Sequence, residues 1–285
     1  MTSPVAFELP PELAIDTDIA RRVIAEFIRG QLRQAGFERA VLGLSGGIDS
    51  ALVAYLTAEA IGAERLLTVL MPYRTSSPAS QGDAEEVVRR LGTASELVDI
   101  TPMVDGFFGP ESDASSLRRG NFMARQRMAV LYDRSVTWGG LVVGTGNKTE
   151  SLIGYTTVFG DNACAFNPIG DLYKSQVRQL AAAIGVPDQI IRKAPSADLW
   201  PGQTDEDELG RSYDLLDRAL FALVDRRWSV DRCVAAGLDR ALVEWVAGRV
   251  ARMEFKRQQP PVAKLSLRTP GFDHLYPRRR PGSRR

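Results

Sequence analysis

The sequence predicts an α/β fold, a doubly wound parallel sheet followed by a mainly helical C-terminal part. Short apolar runs at residues 40–44, 66–71, 97–100 and 141–144 have the length and bounding turns of buried strands. Helical patterns separate these runs, so consecutive strands run parallel and are joined by crossovers. Beyond residue 175 the periodicity is helical only.

In chain order, residues 16–35 form an amphipathic helix, with Asp16 or Thr17 as its cap and Gly36 as its end. Strand 40–44 leads into helix 51–61, strand 66–71 into helix 83–91, and strand 97–100 into helix 121–135. Strand 141–144 closes the alternation. Helices follow at 175–184, 205–224, 230–236 and 240–256. Residues 1–258 thus make one unit, and 259–285, rich in Pro and Arg with little apolar periodicity, make a mobile tail.

The 285 residues suit one large domain, and an apolar content of 44% is ample for a core. A net charge of +1 supplies no bulk field toward nucleic acid or a membrane surface. The apolar stretches are too short to cross a bilayer, and no basic-then-apolar leader pattern opens the chain. Cys164 and Cys233 lack metal or redox spacing, so buried free thiols in a reducing cytoplasm are expected. His274, the one histidine, and the arginine clusters at 278–280 and 284–285 fall in the solvated tail.

Ser45-Gly46-Gly47-Ile48-Asp49-Ser50 carries the most chemistry. A strand, a glycine turn and a helix start aim unpaired N–H groups and the positive end of the helix dipole at one point, where an anion is stabilised. The glycines let phosphate oxygens approach the backbone, and Ser45 and Ser50 add hydroxyls. Asp49 repels phosphate unless a cation lies between them, and Mg²⁺ is the usual bridge. No Gly-Lys-Ser/Thr follows, so this is not a Walker A loop. It resembles the pyrophosphate-binding loop of ATP pyrophosphatases, which cleave ATP between the α and β phosphates.

Gly144-Thr145-Gly146-Asn147-Lys148-Thr149-Glu150 follows the fourth strand and faces the same crevice. Thr145 offers a nucleotide contact, Lys148 a mobile cation, and Glu150 a second carboxylate for Mg²⁺. Further strings are Phe159-Gly160-Asp161, residues 168–174 (PIGDLYK), residues 193–200 (KAPSADLW) and residues 203–206 (QTDE). Together, from about residue 20 to about 264, these motifs resemble the NAD synthetases, which amidate deamido-NAD.

The resemblance implies a Rossmann-like sheet of the ATP-pyrophosphatase type and a set of roles. Gly43, Leu44, Ser45, Gly46, Gly47, Ile48, Asp49 and Ser50 would hold ATP, with Asp49 and Glu150 on Mg²⁺. Thr145, Lys174 and Ser196 would also contact ATP, Lys174 at its phosphates. Arg125 and Lys256 would bind deamido-NAD, and Asp161 would hold the incoming ammonium. Segments 73–82 and 197–210 resemble mobile loops that close over substrates. In one branch of the family a lysine stands at the position of Val158, an aspartate at Ala165 and a histidine at Phe255, so this chain builds its dinucleotide end differently. Glutamine-using relatives carry an amidase domain with a catalytic cysteine, and the short segment before the synthetase region has none. Free ammonia is the implied donor, a homodimer the implied assembly and the cytoplasm the implied location.

The same loop occurs in tRNA-thiolating enzymes and in the synthetase part of a GMP-forming enzyme, and a non-catalytic nucleotide sensor would keep the fold. Thiolation commonly needs reactive cysteine pairs or an RNA-binding appendage, and neither is visible. A sensor would not need Asp49, Glu150 and Lys174 together.

Overall fold

The computed structural model describes residues 11–109, 113–196, 198, 200 and 202–271. Among these, β1 (Arg39–Gly43), β2 (Leu66–Leu70), β3 (Ala94–Leu97) and β4 (Gly140–Val142) form a parallel sheet in the order β3-β2-β1-β4. The chain steps outward from β1 to β3, then returns to pair β4 against the other edge of β1. Ligands bind at such a reversal, outside the carboxyl ends of the two strands.

The helices of the first half are α1 (Thr17–Ala35), α2 (Ile48–Ile61), α3 (Pro78–Leu91), α4 (Thr101–Phe108), α5 (Ser116–Trp138) and α6 (Lys148–Ile153). Then come α7 (Lys174–Ala183), α8 (Asp188–Arg192), α9 (Asp205–Leu209), α10 (Tyr213–Leu220), α11 (Val230–Ala235) and α12 (Arg240–Arg252).

Strand alternation sets the layers. Ala40 and Leu42 of β1 and Leu66 and Leu70 of β2 enter a core shared with α1, α2, α3 and α7. Val41, Leu67 and Val69 point the other way, into a core with α4 and α5. The sheet is therefore covered on both faces, as parallel sheets require. Leu52, Val53 and Leu56 of α2 are fully buried because this helix is apolar all round, wedged between the sheet and α1 and α7. Each such side chain contributes about 1.5–3 kcal/mol of burial free energy. A third core joins Ile153 and Tyr173 to Tyr213, Leu216, Leu242 and Val246, docking the C-terminal helices onto the loops at the sheet's edge.

Several boundaries differ from the sequence pattern. β3 begins at Ala94 rather than 97, although the N–H groups of Val98 and Ile100 extend the pairing to Leu70 and Pro72. Its exposed Ser95 and half-buried Glu96 give no apolar signal. α3 starts at Pro78, which suits a first helical turn. The helix expected over 205–224 is broken by Gly210 in the left-handed region (φ 63°), restarts after Ser212, and ends in a π-helical turn at 221–225. α4, α6 and α8 were not anticipated. Residues 259–268 are exposed, while 272–285, with His274 and the arginine clusters, lie outside the described residues. Among the described residues no helix is long and apolar enough to cross a membrane.

Candidate active site

The site grows from the ends of β1 and β4. After Gly43 the N–H of Leu44 still bonds Val69, 3.0 Å away, and then the chain turns. Gly47 caps α2 without a side-chain bond, so the first N–H groups of that helix stay available at the cavity wall. Gly46 has φ +79°, and a Cβ there would stand 2.0 Å from the Ser80 carbonyl oxygen. Only glycine lets α3 pack this close. The serine hydroxyls shape the loop. Ser50 Oγ donates to Gly47 O (3.0 Å), Gly47 N–H donates to Ser45 Oγ (3.2 Å), and the two Oγ atoms lie 3.1 Å apart.

Asp49 lies in the first turn of α2 and Glu150 in the first turn of α6. Between them sits the ammonium of Lys174, the first residue of α7, 2.5 Å from Asp49 Oδ2 and 3.4 Å from Glu150 Oε1. The Lys174 side chain is 3% exposed, and its ammonium also lies 5.1 Å from the centre of the Tyr213 ring. Burial alone would pull the lysine pKa down, but Asp49 and Glu150 outweigh it and raise it, so it is charged. Burial pushes the Glu150 carboxyl up, Lys174 draws it back, and Asp49 adds to the rise. Asp205, also buried, lies near enough for its charge to act on both Lys174 and Glu150. Three carboxyl groups thus crowd around one ammonium. Asp49 and Glu150 are hard oxygen donors of the kind that suit a divalent ion taking its remaining ligands from phosphate and water, but in this structure both face the Lys174 ammonium.

Asn147 ties the pair together and was not singled out from sequence. It is fully buried, and its Nδ2 donates to Asp49 Oδ1 (2.9 Å) while its Oδ1 accepts from the N–H of Glu150 (3.0 Å). Its own N–H bonds Glu150 Oε2 at 3.2 Å, completing a capping box. The signal was present as Asn-x-x-Glu at a helix start.

Two cavities meet here. One, of about 300 Å³, is mainly apolar and lined by Leu70, Met71, Leu131 and Val142. The other, of about 650 Å³, holds Asp49, Glu150, Lys174 and Asp205 in its wall. Ser45, Ser50, Thr145 and Asp161 line both.

Other sequence-derived candidates fall as follows. Asp161 is exposed to the cleft yet ringed by protein, and its Oδ1 accepts from the N–H of Thr157 (2.6 Å). Burial pushes its pKa up against the pull of that bond and of Lys256. Ser196 lines the larger cavity and accepts from the N–H of Asp198. Lys256 also lines it, with its ammonium bonded to the Gly154 and Thr156 carbonyls at 2.7 and 2.6 Å. Arg125 is exposed on α5, bonds the Val158 carbonyl and lines neither cavity. Lys148, expected as a mobile cation at the crevice, instead pairs with Asp171 and Asp225 over the Tyr173 ring. Both cysteines are free, but only Cys233 is buried; Cys164 is half-buried in the wall of the larger cavity. Segment 73–82 is partly helical from Pro78, and Ala197, Leu199 and Pro201 of the second loop lie outside the described residues.

Residues 20–260 match the sequence model of the family described as NAD synthase. The chain is 50% identical over 266 residues to an NH(3)-dependent NAD(+) synthetase of Trichlorobacter lovleyi, covering 93% of this chain and 97% of that protein. It is 49% identical to the enzyme of the same name from Chlorobaculum tepidum, covering 94% and 97%. Among solved structures, NMN synthetase from Francisella tularensis superimposes with a TM-score of 0.78 at 30% identity, covering 88% of this chain and 99% of that one. The NH3-dependent NAD synthetase from Campylobacter jejuni gives 0.75 at 34% identity, covering 88% and 100%.

Two outcomes follow from this geometry. Gly46→Ala forces α3 off the glycine loop, so ATP binding measured by calorimetry should fall by about tenfold or more, a loss of at least ~1.4 kcal/mol. Asp161 has a raised carboxyl pKa, so the folded state holds its proton more tightly than the unfolded chain does. Its contribution to stability is complete below the unfolded pKa and is lost as pH rises through the folded value. Asp161→Asn should therefore raise the melting temperature at pH 8 more than at pH 4, and a fall at pH 8 would contradict the burial argument.

Proposed function

The chain belongs to the NAD synthase family, and we propose that it amidates deamido-NAD with ammonia and ATP, yielding NAD, AMP and pyrophosphate. The observation that carries this reading is the meeting of Asp49, Glu150 and Lys174 at the carboxyl ends of β1 and β4. A binding module would need neither a buried lysine nor the acidic pair around it.

In this reading the backbone of Gly43, Leu44, Ser45, Gly46, Gly47, Ile48, Asp49 and Ser50 cradles the phosphates of ATP, and the apolar cavity takes the adenine ring. Thr145 and Ser196 supply further polar contacts. Asp49 and Glu150 would hold Mg²⁺, which would neutralise charge on the nucleotide. The nicotinate carboxylate is a poor electrophile, so its oxygen attacks the α-phosphorus and pyrophosphate leaves. Lys174 stabilises the negative charge that gathers on the departing group. Ammonium enters beside Asp161, whose raised pKa makes it a better base, and gives up its proton there. Ammonia then attacks the acyl carbon, AMP departs with the electron pair of the broken C–O bond, and the nitrogen releases its surplus proton to water to leave the neutral amide. Loops over the cleft keep water from hydrolysing the adenylate. Lys256 acts from the larger cavity on deamido-NAD.

Arg125 lines neither cavity of this chain, which favours a dinucleotide that reaches across a subunit boundary. The exposed apolar side chains Phe107 (62%), Leu117 (72%) and Val136 (81%) of α4 and α5 support a homodimer through this face. A cytoplasmic location follows from where ATP and deamido-NAD are made and used.

Incubation with ATP, Mg²⁺, ammonium and deamido-NAD should yield NAD, AMP and pyrophosphate in equal amounts, whereas ADP and orthophosphate would refute the reading. Asp49→Asn should lower turnover at least ~100-fold with an unchanged circular dichroism spectrum. Sedimentation should give a dimer, and Val136→Asp should shift it toward monomer.

A further inference from the structure

Asp217 of α10 is fully buried, a costly place for a carboxylate. Its Oδ1 accepts from the hydroxyl of Thr149 at 2.5 Å, and its Oδ2 accepts from the N–H of Ser175 at 2.8 Å. The Thr149 oxygen in turn accepts from the N–H of Lys174 at 3.0 Å. That hydroxyl thus spends its proton on Asp217 and its lone pair on the lysine backbone. Thr149 immediately precedes Glu150, and Ser175 immediately follows Lys174. One carboxylate therefore clasps the neighbours of both groups that meet in the cleft.

The arrangement has a built-in electrostatic partner. Ser175 lies in the first turn of α7, where the helix dipole favours an anion. Burial pushes the Asp217 carboxyl pKa up, and the bonds from Thr149 and Ser175 pull it back. An apolar residue would pack with Leu216 and Leu220 without that cost, so what the carboxylate adds is directional bonding.

We propose that Asp217 is a positioning residue for the reaction: through Thr149 and Ser175 it fixes the spacing of Glu150 and Lys174 from a helix of the C-terminal part. The inference rests on the amidation reading above. Without Asp217, α6 and α7 would still pack, but the turn carrying Glu150 and the first residue of α7 would no longer be held to a common atom pair. Small displacements of that kind cost rate more than stability.

The test starts from the full chain with its parent activity established; a parent that makes no AMP and pyrophosphate sinks the functional reading and not this one. Asp217→Asn, which keeps the shape but cannot accept both bonds, should lower kcat about tenfold to a hundredfold. This should hold well below the variant's melting temperature, with a smaller change in KM for ATP. Thr149→Val should reproduce the loss, Thr149→Ser should restore kcat to within about twofold, and the Asp217→Asn/Thr149→Val double variant should lose no more than either single one. Calorimetric binding of ATP with Mg²⁺ should weaken in parallel in Asp217→Asn and Thr149→Val. A merely structural role predicts lowered melting temperatures with kcat per folded molecule unchanged, and that result overturns the proposal. Should Asp217→Asn fail to fold, the Thr149 pair decides, because full kcat in Thr149→Val is equally fatal.

Discussion

Lys174 is held charged in the interior of this protein by the Asp49 and Glu150 carboxylates, and each of them is held there by it. The three arrive on different helices, α2, α7 and α6, so their meeting constrains the parallel sheet and the helices around it at once. Remove the lysine and two acids face each other beside the glycine loop. Remove either acid and burial works against the ammonium. Asn147 makes the contact stiffer by bonding one acid directly and capping the other's helix.

The balance is deliberately incomplete in its charge. Asp205 adds a third carboxylate within electrostatic reach, with Tyr155 and Tyr213 donating to it at 3.1 Å each. Carboxyl groups beside a glycine loop at a helix N-terminus suit a cation bound together with an anion. The smaller of the neighbouring cavities is mainly apolar, and the larger has Asp49, Glu150, Lys174 and Asp205 in its wall.

Much of the fold was legible because parallel strands are apolar throughout and their crossovers are amphipathic. β1, β2 and α1 stand within a residue or so of their expected bounds. β3 slipped because an edge strand with polar Ser95 and Glu96 carries a weaker apolar signal than a central one. Helix 205–224 was expected whole because its periodicity survives Gly210, while the left-handed turn there redirects the chain. Short helices such as α4 and α8 are too brief for periodicity to mark.

By itself the chain marked the glycine loop, the acids at Asp49 and Glu150, and the family to which it belongs, since local backbone demands and residue chemistry are written in contiguous strings. Tertiary structure alone decided that Lys174 lies between those acids, that Lys148 turns away to Asp171 and Asp225, and that Asn147, Asp205 and Asp217 belong to the same constellation. The physical reason is distance along the chain. Asp49 and Lys174 are 125 residues apart, and no periodicity or spacing encodes which of several buried polar side chains will share one desolvated space. Only the packing of α6, α7 and α10 against the sheet's switch point makes that choice.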